Sequence, residues 1–304
     1  MHFLKILWDF SRPHTLIGSF LSITALYLIS LAVAFPGEPL SLAGFYSGHY
    51  LKSLMAALGC NIYITGLNQV QDIAIDRINK PYLPLADGRL SKAGGIRIIS
   101  VAGLLALAIA AWENVPLFLL ILIIMLIGTA YSLPPVQLKK HHVLAAISIL
   151  LVRGVLVNIG MPLQFLYVFN GAITIPPDVW PLTFFVVGFS LGIAWFKDIP
   201  DTQGDAAYEI KTLALTISPK VAFRWGIFVV ALSYVGLLLI SAILQLKVNL
   251  WFFYGSHTVL LCLFLYGSTR VQLDNPANVK TFYLLFWGFF FVEYIIYPLS
   301  YFIV

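Results

Sequence analysis

Apolar stretches near the roughly 20 residues that a helix needs to cross a bilayer recur along the whole of this 304-residue chain. In hydrocarbon every backbone N–H and C=O has to be satisfied within the segment, so each stretch is expected to be a helix, and no soluble domain fits between them. The composition agrees, with 60% hydrophobic and only 10% charged residues, far from the approximately 25% charged residues of soluble domains. The expected fold is therefore all-α, a polytopic membrane helix bundle forming one domain over residues 1–304.

Nine spans are expected, at about residues 14–34, 47–69, 96–112, 115–133, 143–161, 180–197, 221–244, 248–267 and 280–302. Residues 162–179 mix apolar side chains with Asn, Gly and Pro and read as a connecting loop. With a cytoplasmic N-terminus, the N-terminal segment and the loops after spans two, four, six and eight carry fifteen of the eighteen Lys and Arg residues, a bias the positive-inside rule assigns to the cytoplasm. Lys52 and Lys247 fall elsewhere, and Arg153 lies inside span five. Cys60 and Cys262 sit within spans without metal or CxxC spacing, which points to packing. The N-terminal segment has Arg-Pro before span one and offers no small-residue cleavage site, so neither a signal peptide nor a transit peptide is expected.

Acidic residues are scarce, thirteen in all, and their placement is informative. Asn68, Asp72 and Asp76 recur at i, i+4 and i+8, which on a helix confines them to an arc of about 80° and a rise of about 12 Å. Asp198, Asp201 and Asp205, in FKDIPDTQGD at the end of span six, share a face if that segment is helical. The two stretches align at an offset of 129 residues, so two parallel four-helix units, roughly 14–140 and 143–267 followed by a final helix, would bring the stripes face to face across a central cavity. Carboxylates gathered at low dielectric require cations. Hard oxygen donors without His or Cys favour Mg²⁺ bound together with substrate phosphates, and a diphosphate is the natural guest. Arg77, Lys80, Lys139, Lys140, Lys197 and Lys211 lie near enough in sequence to hold its remaining oxygens.

Several segments beyond the stripes then point one way. NxxxDxxxD and DxxDxxxD, together with SRPHT at 11–15, INKPYLPLADGRLS at 78–91, AYSLPP at 130–135 and RGVLVNIG at 153–160, resemble the UbiA superfamily of intramembrane aromatic prenyltransferases, and in particular its homogentisate branch. The resemblance implies a UbiA-like bundle in which Mg²⁺ held by Asn68, Asp72, Asp76, Asp198, Asp201 and Asp205 binds phytyl diphosphate. It further implies that homogentisate attacks the allylic cation with loss of diphosphate and CO₂, giving 2-methyl-6-phytyl-benzoquinol, a tocopherol precursor. Asp72, Asp76, Asp201, Asp205 and Tyr131 are the expected catalytic residues, and Arg77, Lys139, Lys197 and Lys211 the expected diphosphate ligands. Arg153, Arg12 and His14 are candidates for the acceptor carboxylate. In much of the superfamily a lysine closely follows the tyrosine, whereas here the nearest is Lys139, eight residues on.

Within that branch, solanesyl or geranylgeranyl transfer is the alternative activity. A cation-coupled transporter is the reading from another class, but transport sites lie near the midplane and these aspartates fall at span ends. A CDP-alcohol phosphotransferase lacks its signature here. The expected setting is the plasma or thylakoid membrane of a cyanobacterium-like cell, with the lipid bilayer as surroundings and neither nucleic acid nor a protein partner. His141 and His142, adjacent on a helix, face different ways and make a poor metal pair. Glu293, in the final span, is expected to be a neutral hydrogen-bonded group as readily as a functional one.

Overall fold

A computed structural model describes residues 2–37, 39–207 and 212–303. Its helices are α1 (His2–Phe10), α2 (Pro13–Ala34), α3 (Pro39–Ala43), α4 (Ser47–Gln71), α5 (Ile73–Asn79), α6 (Lys92–Glu113), α7 (Val115–Ser132) and α8 (His142–Ile149). A π-helical turn over Leu150–Leu156 follows, then α9 (Val157–Asn170), α10 (Val179–Ala207), α11 (Leu213–Thr216), α12 (Pro219–Leu244), α13 (Leu250–Ser268) and α14 (Pro276–Leu299).

Among the described residues, eight segments are long and apolar enough to cross a membrane: α2, α6, α7, the continuous run Val143–Asn170, α10 over Val179–Thr202, α12, α13 and α14. α4 is a ninth long helix, more polar than the rest, and it packs on α2, α6 and α7. Caps start these helices where the sequence supplies them. Ser91, Asn114, Ser218, Asn249 and Asn275 each accept a backbone N–H of the following first turn, satisfying donors that a helix leaves open.

The loop expected at 162–179 is corrected over 162–170 and present over 171–178. α9 continues through Pro162 to Asn170 and ends at Gly171, whose φ of 74° is the left-handed conformation of a helix terminus. A proline inside a helix is tolerated in lipid when neighbouring groups satisfy the freed backbone. Here the irregularity begins earlier, at the π turn, where the Asn158 amide donates to the carbonyls of Arg153 at 2.9 Å and Gly154 at 3.0 Å.

Aromatic side chains fill the contact between the later helices. Phe189 of α10 stacks on Phe286 of α14 with centroids 4.1 Å apart, and Phe196, Phe223, Phe264 and Phe282 surround them. Near the end of the bundle remote from the aspartates, Glu113 is buried between Lys52 and His49, while Gln164 links Asn114 to Ser53. Trp112 and Trp251 project outward near that end, as interfacial aromatics do.

α10 and α12 approach closely because each offers glycine to the other, as small residues do between helices in lipid. A Cβ on Gly192 would stand 2.7 Å from Val230 Cγ2 and 3.0 Å from Phe286 Cζ, both fully buried. Gly192→Leu should therefore lower stability by about 1–3 kcal/mol or more through overpacking. Thermal unfolding in detergent checks this, and an unchanged melting temperature would mean that the helices part there at no cost.

Candidate active site

Asn68, Asp72 and Asp76 share one face, although the helix is interrupted between them. Asp72 ends α4 and begins α5 with φ −103° and ψ 17°. The i to i+4 bonds nevertheless continue across the break, from Asp72 N to the Asn68 carbonyl and from Asp76 N to the Asp72 carbonyl, so the stripe keeps its helical pitch. The second stripe is helical, the condition under which its aspartates share a face, because α10 runs past its membrane portion and through Pro200 to Ala207.

Both stripes line a single cavity with Arg12, Asn79, Lys80, Tyr131, Lys139, Trp195, Lys197 and Thr212. Its wall comes from the start of α2, the ends of α4, α7 and α10, and the start of α8. These ends fall on one side of the membrane only if α4 crosses it, which supports α4 as the ninth span.

The carboxylates are already paired within the protein. Lys139 holds Asp72, Asn68 donates to Asp72 at 2.9 Å, and Arg12 lies 3.8 Å from Asp76. Lys197 lies 3.8 Å from Asp198, and Lys80 contacts Asp201 at 2.5 Å. Asn79 donates to Asp205 at 3.3 Å. The last two contacts cross from the first stripe's segment to the second and fix the stripes opposite one another. Burial raises the Asp76 carboxyl above its ordinary range, opposed by Arg12 and Lys80, and the charges of Asp72 and Asp201 add to the rise. Burial likewise brings the Asp205 carboxyl up to about 7, against the pull of Lys197. Carboxylates that feel one another across the cavity are hard oxygen donors of the kind a divalent cation takes, although among the described residues no three acidic or His/Cys groups converge as a ready metal cluster.

Arg12 is held at φ 52°, in the left-handed region, directly before Pro13. Such strain in a non-glycine residue persists where the surroundings enforce it, often at functional sites, and here the guanidinium lies 3.8 Å from Asp76.

Other expected residues fall differently. Arg77 is exposed on α5 and does not line the cavity, so its expected diphosphate contact is not brought about. Lys211 lies outside the described residues. Arg153 and His14 sit deeper and both meet Trp287: the Arg153 guanidinium lies 4.7 Å from that ring and 5.5 Å from Phe290, and the His14 ring packs edge-on at 5.1 Å. Arg153 also faces a second cavity between α2, α4, α7, α9 and α14, lined by Thr15, Ser19, Asn61, Tyr294 and many apolar side chains. Among the described residues it has no acidic partner.

Sequence reading missed Asn79 and gave Lys80 no specific partner. The signal was their position, immediately after the first stripe on its side of the membrane. Glu293 is fully buried and bonded at 3.0 Å to His257, which the sequence had not singled out.

A bundle of membrane-spanning helices with carboxylates and cations interleaved around a cavity at one end defines an integral multi-pass membrane protein with a polar reaction chamber. Residues 20–291 match the UbiA prenyltransferase family. The homogentisate phytyltransferase of Synechocystis sp. is 40% identical over 299 residues, covering 98% of this chain and 96% of the relative. The homogentisate geranylgeranyltransferase of Triticum aestivum is 32% identical, over 97% and 72%. Among solved structures, one described as digeranylgeranylglyceryl phosphate synthase superposes with a TM-score of 0.66 at 19% identity, covering 99% of each chain. A UbiA homologue from Archaeoglobus fulgidus bound to GPP and Mg²⁺ superposes with a TM-score of 0.61 at 17% identity, over 94% and 98%. The chain belongs to the UbiA prenyltransferase family and is a prenyltransferase.

Proposed function

We propose that the protein transfers a phytyl group from phytyl diphosphate to homogentisate, releasing diphosphate and CO₂ and forming 2-methyl-6-phytyl-benzoquinol. The choice of substrates rests on the 40% identity, over nearly the full length of both chains, to a homogentisate phytyltransferase. The observation that carries the chemistry is the pair of aspartate stripes held opposite one another by Lys80–Asp201 and Asn79–Asp205.

Asn68, Asp72, Asp76, Asp198, Asp201 and Asp205 would hold Mg²⁺, in keeping with a solved UbiA homologue that binds GPP and Mg²⁺. When bound, the metal supplies Lewis-acid stabilisation of charge on the departing diphosphate. Lys139, Lys197 and Lys80 line the same cavity and would offer donors to the diphosphate oxygens. Tyr131 lines the same cavity and presents an aromatic face and hydroxyl to the carbon from which diphosphate leaves. The apolar interior excludes water that would quench the allylic cation. Arg153, which faces the second cavity and has no acidic partner among the described residues, holds the acceptor carboxylate, and the apolar walls of that cavity accommodate hydrocarbon.

The two four-helix halves expected from the motif offset are supported by packing. α4–α6 and α10–α12 form the two most extensive helix contacts, and they occupy equivalent places in the two halves. The distribution of basic residues favours a cytoplasmic N-terminus and a cytoplasmic aspartate cavity.

The test is an assay in membranes with radiolabelled homogentisate, offering phytyl, geranylgeranyl and solanesyl diphosphates separately, with Mg²⁺ or with EDTA. A Mg²⁺-dependent lipophilic product, formed best with the phytyl donor, is expected. Preference for another donor would reassign the tail, and absence of product with every donor would reject homogentisate. Lys197→Ala should raise KM for the prenyl donor about tenfold, the loss of one charge-assisted hydrogen bond. An unchanged donor KM would remove Lys197 from diphosphate binding.

A further inference from the structure

The π-helical turn that carries Arg153 is built around two polar side chains outside the aspartate cavity. Asn158, fully buried, donates its amide to the carbonyls of Arg153 and Gly154, and its Oδ1 accepts the Tyr294 hydroxyl at 2.9 Å. Tyr294 belongs to α14, the helix whose Trp287 and Phe290 flank the Arg153 guanidinium. Gly154 fixes the other side of the turn, since a Cβ there would stand 2.7 Å from Val187 Cγ2 and 3.1 Å from Val187 Cα. A π turn inserts an extra residue into the helical ladder and turns the following side chains relative to the preceding ones; such turns are frequent at functional sites.

From these contacts we propose that Asn158 and Tyr294 are positioning residues that hold the π turn so that Arg153 presents its guanidinium to the carboxylate of the aromatic acceptor. The proposal rests on the reading of Arg153 as the acceptor's counter-ion. In this arrangement α14 supplies both halves of the device, the ring faces that support the guanidinium and the hydroxyl that anchors the amide beneath it. Asn158 has its carbonyl oxygen occupied by Tyr294, so its two amide protons are committed to the two carbonyls. An Asn158 variant without those protons takes both side-chain donors away from the turn, which is expected to relax toward a regular helix with Arg153 displaced. The aspartate cavity is untouched by that change, so the prenyl donor should not sense it.

The experiment measures kcat and both KM values for the full-length protein in nanodiscs, with homogentisate and phytyl diphosphate, for Arg153→Met, Asn158→Leu and the double variant. Arg153→Met and Asn158→Leu should each raise KM for homogentisate about tenfold or more while KM for phytyl diphosphate stays within twofold. The double variant should be no worse than Arg153→Met, because both remove one interaction. If Arg153→Met raises the acceptor KM and Asn158→Leu does not, the positioning role is overturned and the acceptor site stands. If Arg153→Met leaves that KM unchanged, the acceptor reading falls and the proposal with it. Equal increases in both KM values for Asn158→Leu would indicate general damage and also overturn it. Should Asn158→Leu fail to elute as a folded protein, Tyr294→Phe, which removes a single oxygen, decides: an acceptor KM raised about threefold is expected, and an unchanged one refutes the role.

Discussion

Asp72→Ala and Asp201→Ala should each reduce turnover at least about 10³-fold, the scale at which loss of a preorganised electrostatic group in a water-poor site is felt. The two residues come from different stripes, yet the argument for each is the same. Removing either carboxylate takes away one of the oxygen donors proposed for the metal and leaves an ammonium without its partner, Lys139 in one case and Lys80 in the other. The surviving lysine then adds positive charge where Mg²⁺ has to enter, so loss of affinity compounds loss of a ligand. The aspartates lie at the polar end of the bundle, away from the aromatic packing of α10, α12 and α14, and both variants should remain folded. Product formation with saturating Mg²⁺ and monodispersity in detergent are the measurements. Near-normal activity of either variant would sink the metal assignment.

Lys80→Met should lower kcat/KM for the prenyl donor by about 10–100-fold, in line with the roughly 1.5–3 kcal/mol of a hydrogen bond to a charged group. Lys80 stands at the end of α5, reaches across to Asp201, and is flanked by Asn79 making the parallel contact to Asp205. Its loss therefore removes a strut between the stripes and, on the proposed reading, a donor for diphosphate. A double-mutant cycle with Asp201 separates these effects. Strong non-additivity locates the role in the pair, whereas full additivity would leave Lys80 acting on the substrate alone. Lys80→Arg, which keeps the charge, should recover part of the activity.

The spans and both stripes were legible because their signals are local. Apolar length marks a crossing, and spacing of three or four residues marks a helical face. Lys80 and Arg77 show where such reading ends. They are three residues apart in one basic cluster, but only the turn that ends α5 carries Lys80 into the cavity and leaves Arg77 outside. The segment at 162–170 looked like a loop because proline and polar residues break helices in water. In the bundle, α9 runs through Pro162 while packed against α2 and α7, and that packing is set by tertiary contact. The His257–Glu293 pair was hidden for the same reason, since its members are 36 residues apart and meet only when α13 packs on α14.

Among the described residues, five carboxylates and four cations share the aspartate cavity. On the proposed reading, arrival of Mg²⁺ and a diphosphate would be an exchange of partners: the aspartates would take the metal in place of ammonium, and the lysines would take phosphate in place of carboxylate. Such a swap keeps the local charge nearly balanced throughout, so a strongly ionic substrate can be taken to the edge of an oily interior without a naked charge being stranded there. The same balance works in reverse. With the diphosphate gone, the lysines would close back onto the aspartates, and the chamber would reset itself as an internal salt.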